Sequence, residues 1–153
     1  MKMPGTKDKY KDKDNDNNNI SSSTQLFKSL DFLYVPASDI HASVYYYTKV
    51  LEGNLLWKIH AFGVWVACIQ ISATGPFILL ADHIKAHDPI LIYRVENINK
   101  TSKILKSRGW KEEKVLEIPQ GPCYVFRDPS DNAIAIYENQ RPGVMEKFRG
   151  RID

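Results

Sequence analysis

The chain has 153 residues, of which 43% are hydrophobic and 25% are charged, and its formal net charge is +3. These values are ordinary for a globular protein that builds one domain around its own core. Because the charge is small and forms no basic stripe, the composition excludes a dedicated nucleic-acid binder. No apolar run is long enough for a membrane span or an export signal, so we expect no membrane association and a cytoplasmic protein.

The first 24 residues differ in composition from the rest of the chain. Lys, Asp and Asn make up almost all of residues 7–19. Such a segment buries too little surface to offset the entropy lost on ordering, so we expect residues 1–24 to form a disordered tail. Alternating aspartates within it have the spacing that opens a calcium loop, but the glycine and glutamate that such a loop requires are absent. We therefore predict no calcium site there.

The first half of the remaining sequence predicts one strand, one helix and then three strands. β-forming residues predict the first strand over residues 30–35, and Pro36 ends it. Ser38 or Asp39 can cap a helix over about residues 39–52, whose apolar side chains recur at helical spacing. Three further strands are predicted over residues 54–60, 64–71 and 77–81.

The second half repeats this order. A strand is predicted over residues 90–95, and Glu96 or Asn97 can cap a helix that stops at Gly109. Residues 32–43 and 90–101 lie 58 positions apart and match in strand, cap and helix, which indicates an internal duplication. The last three strands are predicted over residues 110–118, 122–127 and 133–138.

Three stretches within these halves follow one another in a recognisable order: residues 35–51, residues 75–80 and residues 121–132. The first runs from Val-Pro-Ala-Ser-Asp into a Tyr-rich helix, and the second reads Gly-Pro-Phe-Ile-Leu-Leu. The third, in which a strand ends in Asp-Pro and an Asn follows, is the most specific. In this order and spacing the chain resembles the vicinal oxygen chelate superfamily, which includes glyoxalase I, extradiol dioxygenases and bleomycin-resistance proteins.

The resemblance covers residues 28–140 and implies an α+β fold, in which two βαβββ modules form a curved mixed sheet around a cup. The modules would span residues 28–82 and 88–140, and residues 141–153 would form a C-terminal tail. Asp131 stands where this superfamily usually has glycine. That position requires a positive φ, which Asp tolerates better than most residues, so we expect the same turn.

The resemblance also implies where a metal would bind. Metal-dependent members place His, Gln or Glu on the first and last strand of each module, and here these positions fall on Phe32, Leu79, Ile90 and Ala135. None of these side chains offers a donor that a divalent metal accepts. Asp31 is next to the first position, but strand alternation predicts that it faces away from the cup. We therefore expect no metal and no cofactor.

Strand alternation also predicts the residues that face the cup. Arg94 would pair with a ligand carboxylate or phosphate, or would instead extend into water. Trp57 and Trp65 would line the cup or fill the core. The predicted ligand-binding residues are Phe32, Tyr34, Trp57, Trp65, Ile90, Ile92, Arg94, Ala135 and Tyr137.

Other candidate sites are weaker. His83 and His87 are four residues apart and would share a face if the linker between modules were helical, where they could bind zinc or iron. We expect a solvated loop instead. Cys68 and Cys123 lie in apolar strands and are expected to be small buried side chains. No catalytic residue is predicted, because the sequence shows no nucleophile motif or phosphate-binding glycine loop.

These features give a leading hypothesis and two alternatives. The leading hypothesis is a metal-free protein that binds a small anionic or aromatic metabolite and forms a homodimer, as members of this superfamily often do. The net positive charge argues against the cationic drugs that its drug-binding members take. The alternatives are a metal-dependent lyase, isomerase or dioxygenase with other ligands, and a structural or partner-binding dimer whose cup is filled by its own side chains.

Overall fold

The computed structural model describes residues 25–84 and 88–153. The predicted disordered tail and His87 lie outside the described residues. Within this part of the chain no helix is long and apolar enough to cross a membrane. The strands are β1 (Phe27–Pro36), β2 (Asn54–Ala61), β3 (Val64–Gln70), β4 (Phe77–Ala81), β5 (Ile90–Val95), β6 (Lys114–Ile118), β7 (Gly121–Arg127) and β8 (Ala133–Tyr137). The helices are α1 (Ile40–Tyr45), which continues as a π-helix (Tyr46–Val50), α2 (Ile98–Ser107) and α3 (Val144–Phe148).

All eight strands form one sheet in the order β2-β3-β4-β1-β5-β8-β7-β6. The first strands of the two modules, β1 and β5, are antiparallel neighbours at its centre. Each of them also pairs in parallel with the last strand of its own module, β1 with β4 and β5 with β8. This symmetric arrangement confirms the predicted pair of βαβββ modules.

The sheet is strongly curled. A flat sheet of eight strands would separate its two edges by about 34 Å. Yet Ile59 and Val66, near one edge, line the same cavity as Glu117 and Ile118, near the other. The two edges must therefore face each other across a cup.

α1 and α2 both pack on the convex face of the sheet and leave the concave face to the cup. α1 packs its Ile40 and Val44 on the convex face of the first module, and α2 packs Ile98 and Leu105 on that of the second. The side chain of Asp39 accepts a hydrogen bond from the Ala42 amide (2.9 Å), and Asn97 accepts one from the Lys100 amide (2.9 Å). These two residues are therefore the caps, and each was one of the two predicted candidates.

The C-terminal segment, for which the sequence predicted only a tail, belongs to the fold. α3 places Met145 and Phe148 against the concave cluster. The chain then runs beside the edge strand β2, where Lys58 and Ile152 form a parallel bridge. The Lys58 amide donates to the Arg151 carbonyl, and the Asp153 amide donates to the Lys58 carbonyl, both at 2.9 Å. This segment covers part of a sheet edge that would otherwise be open to pairing.

The connection between the π-helix and β2 has two neighbouring positions that both favour glycine, but only the second is glycine. Glu52 has a φ of 58°, which is unfavourable for a residue with a side chain. A Cβ atom at Gly53 would lie only 2.8 Å from the Tyr47 carbonyl oxygen and 3.0 Å from Ile69 Cγ2. The turn therefore accepts a glycine at position 52 and requires one at position 53.

Substitutions at these two positions should change stability in opposite directions. We expect Gly53→Ala to lower the free energy of unfolding by about 1–3 kcal/mol, because backbone atoms must move to admit the methyl group. We expect Glu52→Gly to leave stability unchanged or raise it by up to about 1 kcal/mol, because it removes the unfavourable φ. Urea denaturation measures both, and equal losses in the two variants would contradict the geometry.

Candidate ligand-binding site

The concave face of the sheet consists of rows of paired residues. In each row neighbouring strands contribute one side chain at the same level, and all point into the cup. One row contains Trp57, Cys68, Leu79, Tyr34 and Ile90. The next contains Phe77, Phe32, Ile92, Ala135 and Val125. A third contains Ser29, Arg94, Tyr137, Cys123 and Leu116.

The four positions that the resemblance assigns to a metal lie within this face. Phe32, Leu79, Ile90 and Ala135 belong to one cluster, and none exposes more than 3% of its surface. Their side chains end in carbon atoms, and a divalent metal requires nitrogen, oxygen or sulfur donors. The residues present therefore do not fit the metal of the metal-dependent members.

A cavity of about 350 Å³ opens from the cup between the two edges of the sheet. Among the residues that the structure describes, Tyr34, His83 and Glu117 contribute the polar side chains of its lining. A second hollow of about 280 Å³, on the side of the second module, includes Ile90 and shares His83 with the first. The apolar lining of the first cavity comes mainly from Ile59, Val64, Val66, Leu79, Ile118 and Phe148.

Tyr34 and His83 form the polar pair of this cavity. The Tyr34 hydroxyl lies 3.2 Å from His83 Nε2, and the tautomer of the imidazole decides which of the two donates the hydrogen bond. Burial, with smaller contributions from Cys123 and Asp82, raises the pKa of Tyr34 well above its ordinary value. The hydroxyl is therefore protonated at neutral pH and can donate one hydrogen bond.

His83 is a site residue that the sequence does not predict. The sequence favours a solvated loop at this position, and a metal pair with His87 only if the loop were helical, whereas the structure places His83 against Tyr34 at the cavity. β1 and β4 are parallel, so the residues that follow β4 emerge at the end of the sheet where β1 also ends. This position after a strand beside the cup is the signal that could have identified His83.

Trp65 does not line the cup, which corrects the prediction for this residue. Its neighbour Val66 belongs to the concave cluster, so strand alternation turns Trp65 to the convex face. There the His60 ring stacks on it at a centroid distance of 4.4 Å, and Lys58 Nζ lies 5.0 Å from its ring centre. Trp57 does face the cup, where it is fully buried and in edge-to-face contact with Phe148 at 5.5 Å.

Asp31 faces the cup side of the sheet, contrary to the prediction from alternation. The pairing of β1 with β5 shifts between Leu30 and Phe32, so Asp31 is the extra residue of a β-bulge. Its carboxylate accepts a hydrogen bond from the Tyr137 hydroxyl at 2.5 Å, and Arg94 Nε lies 3.7 Å away. Arg94 is thus engaged within the protein, is about half exposed and does not line either hollow of the cup.

Comparisons with known proteins find this architecture among solved structures. No protein-family model matches the sequence, and no curated protein matches it. Among solved structures, methylmalonyl-CoA epimerase from Mycobacterium tuberculosis superposes with a TM-score of 0.60 at 18% identity, over 75% of this chain and 90% of that one. The chain has the vicinal oxygen chelate fold.

Other structures with this fold carry different activities. A methylmalonyl-CoA epimerase in complex with methylmalonyl-CoA and NH4+ gives a TM-score of 0.59 at 12% identity, over 76% of this chain and 97% of that one. A catechol 2,3-dioxygenase gives 0.56 at 15% identity, over 75% of this chain but only 42% of that one. The vicinal oxygen chelate fold therefore supports more than one chemistry, and the function must be argued from the site.

Four buried acidic groups of the cup should make the protein sensitive to alkali. Burial raises the pKa of Cys68 to about 12 and raises those of Cys123, Tyr34 and Tyr137 further, with the Asp31 hydrogen bond also contributing at Tyr137. The folded state therefore retains protons that the unfolded state loses above pH 9. The free energy of unfolding therefore keeps its full value below pH 9 and falls as the pH rises towards the pKa values of the folded state.

We expect the free energy of unfolding to fall by about 5–7 kcal/mol between pH 8 and pH 10.5, as measured by urea denaturation. The double variant Cys68→Ala, Cys123→Ala should lose much less over the same interval, because two of the four groups are gone. Tyr45→Phe, which removes an exposed hydroxyl, is the control and should keep the full pH dependence. An unchanged pH dependence in the double variant would show that the thiols do not cause it.

Proposed function

We propose that this protein binds a small, largely apolar molecule with an aromatic ring in the cup, without a metal. The observation that carries the proposal is the cavity of about 350 Å³ inside the cup, whose described lining is apolar apart from the side chains of Tyr34, His83 and Glu117. This size and lining are typical of small-molecule sites, in which a few polar groups orient a ligand held mainly by apolar contacts.

The arrangement of charge favours an aromatic ligand over a strongly anionic one. Arg94, for which the sequence left open either a ligand anion or exposure to water, is paired with Asp31. Glu117 adds a negative charge to the cavity lining, although Arg141 lies 3.4 Å from its carboxylate. The Tyr34 and His83 pair can hydrogen-bond a hydroxyl or a single carboxyl group. An aromatic alcohol or phenol therefore matches the cavity better than a phosphate or a dicarboxylate.

A substitution that fills the cavity should weaken binding strongly while the fold is retained. Val66 lines the cavity from β3, so we expect Val66→Phe to weaken binding of 2-naphthol at least tenfold, as measured by isothermal titration calorimetry. Val115→Phe, on the exposed surface of β6, is the matched control and should bind like the native protein. Equal affinity of all three proteins would place the binding outside the cup.

The lack of metal-binding side chains at the four expected positions leads to a separate prediction about the metal content of the protein. Protein purified without chelator should contain far less than one nickel, zinc, manganese or iron ion per chain by elemental analysis, because the four expected positions hold Phe32, Leu79, Ile90 and Ala135. One equivalent of metal that is retained through dialysis, and that restores an activity lost with a chelator, would favour the alternative of a metal-dependent lyase, isomerase or dioxygenase.

A specific observation also supports the second alternative, a cup filled by its own side chains. α3 lays Met145 and Phe148 over the concave cluster and covers Trp57. Under this alternative the protein would be a structural or partner-binding dimer, and a panel of aromatic and anionic probes would give no binding by calorimetry. The expected homodimer itself stays a prediction that analytical ultracentrifugation tests.

A further inference from the structure

The hairpin between β2 and β3 carries a residue that its turn does not favour. Ala61 pairs with Val64, so the turn consists of only Phe62 and Gly63. Their φ angles are 53° and 76°, both in the left-handed region. Two-residue turns of this kind favour Asn followed by Gly, because a side chain larger than that of Asn or Asp is strained at positive φ. Phe62 therefore destabilises the turn in which it lies.

Phe62 is also fully exposed to solvent. A large aromatic ring normally contributes to stability through the apolar surface that it buries, and this ring buries none. The strained backbone and the exposed ring therefore both lower the stability of the folded chain when no ligand is bound. The side chain does, however, line the mouth of the cup cavity together with Ala61 and Val64.

The same cavity has a second phenyl ring in a different state. Phe148 of α3 lines the cavity and is held by its edge-to-face contact with Trp57. One ring of the cavity is thus fixed by packing, while the other projects freely from a hairpin tip. Aromatic rings attract one another in offset-stacked and edge-to-face arrangements. A flat aromatic ligand in the cavity would therefore give the Phe62 ring an apolar surface to pack against.

We infer that Phe62 closes over the bound ligand and determines specificity for a planar aromatic ring. This inference rests on the function proposed above and adds the residue that selects the ligand class. A saturated ring of the same size would fill the cavity but would not stack on Phe62. The unfavourable turn residue is then explained by a contact that forms only in the complex.

The test uses the full chain and two probes, 2-naphthol and its saturated counterpart decahydro-2-naphthol. We expect the native protein to bind 2-naphthol more tightly. Phe62→Asn should weaken 2-naphthol binding about threefold to tenfold, the effect of one lost aromatic contact, and leave decahydro-2-naphthol binding nearly unchanged. The same variant should melt about 2–4 °C higher, because Asn suits the turn. Phe62→Tyr should restore native selectivity, and Tyr45→Asn, which changes an exposed aromatic side chain on α1, should leave it unchanged.

The outcomes separate this inference from the proposed function. If the native protein binds 2-naphthol and Phe62→Asn binds it equally well, the inference is wrong and the proposed function stands. If Phe62→Asn loses affinity for both probes by the same factor, Phe62 does not distinguish a planar ring from a saturated one, and the inference is again wrong. If the native protein binds no aromatic probe, the proposed function fails and the inference fails with it.

Discussion

The antiparallel pairing of β1 with β5 is the contact on which the rest of the structure depends. It joins the two modules through the pairs Phe32–Ile92 and Tyr34–Ile90 and makes their separate strands into one sheet. Because the sheet then curls, the concave sides of both modules face the same space. The cup, its apolar lining and the cavity between the sheet edges all follow from this one junction.

The polar groups beside β1 form two sets. Asp31, at the bulge in the middle of the strand, accepts a hydrogen bond from the Tyr137 hydroxyl and pairs with Arg94, so its charge is balanced inside the protein. Nearer the end of the strand, Tyr34 pairs with His83, and both face the cavity, where they can hydrogen-bond a ligand. The first set lies at the junction of the modules, and the second is accessible to a ligand.

Most of the fold was predictable because its strands alternate and its helices have clear caps. The strand, helix and three-strand order of each half is visible in the sequence, and Asp131 adopts the predicted positive φ of 69°. Asp31 could not be placed, because a β-bulge adds one residue to the strand and reverses alternation beyond it. Trp65 could not be assigned to the cup or to the core, because the start of β3 fixes the parity of all its residues and a tryptophan suits a core or a pocket equally.

The site was less predictable than the fold for a physical reason. Its apolar lining comes from side chains whose spacing follows the strand period, so Tyr34, Leu79 and Ile90 could be assigned to the cup. His83 lies in a loop and Phe148 in the C-terminal segment, and no periodicity links either to the sheet. Their contacts with Tyr34 and Trp57 depend on tertiary structure alone.

The pairing of Lys58 with Ile152 has a consequence for how the chain reaches this structure. These two residues are separated by more than ninety positions, so the outer edge of β2 stays unprotected until the distant segment arrives. Contacts of such long range form late, after loop-closure entropy has been overcome. During that interval the unpaired edge of β2 can pair with another chain. Refolding at high concentration should therefore favour misassembly at this edge, which residues 150–153 cover in the folded chain.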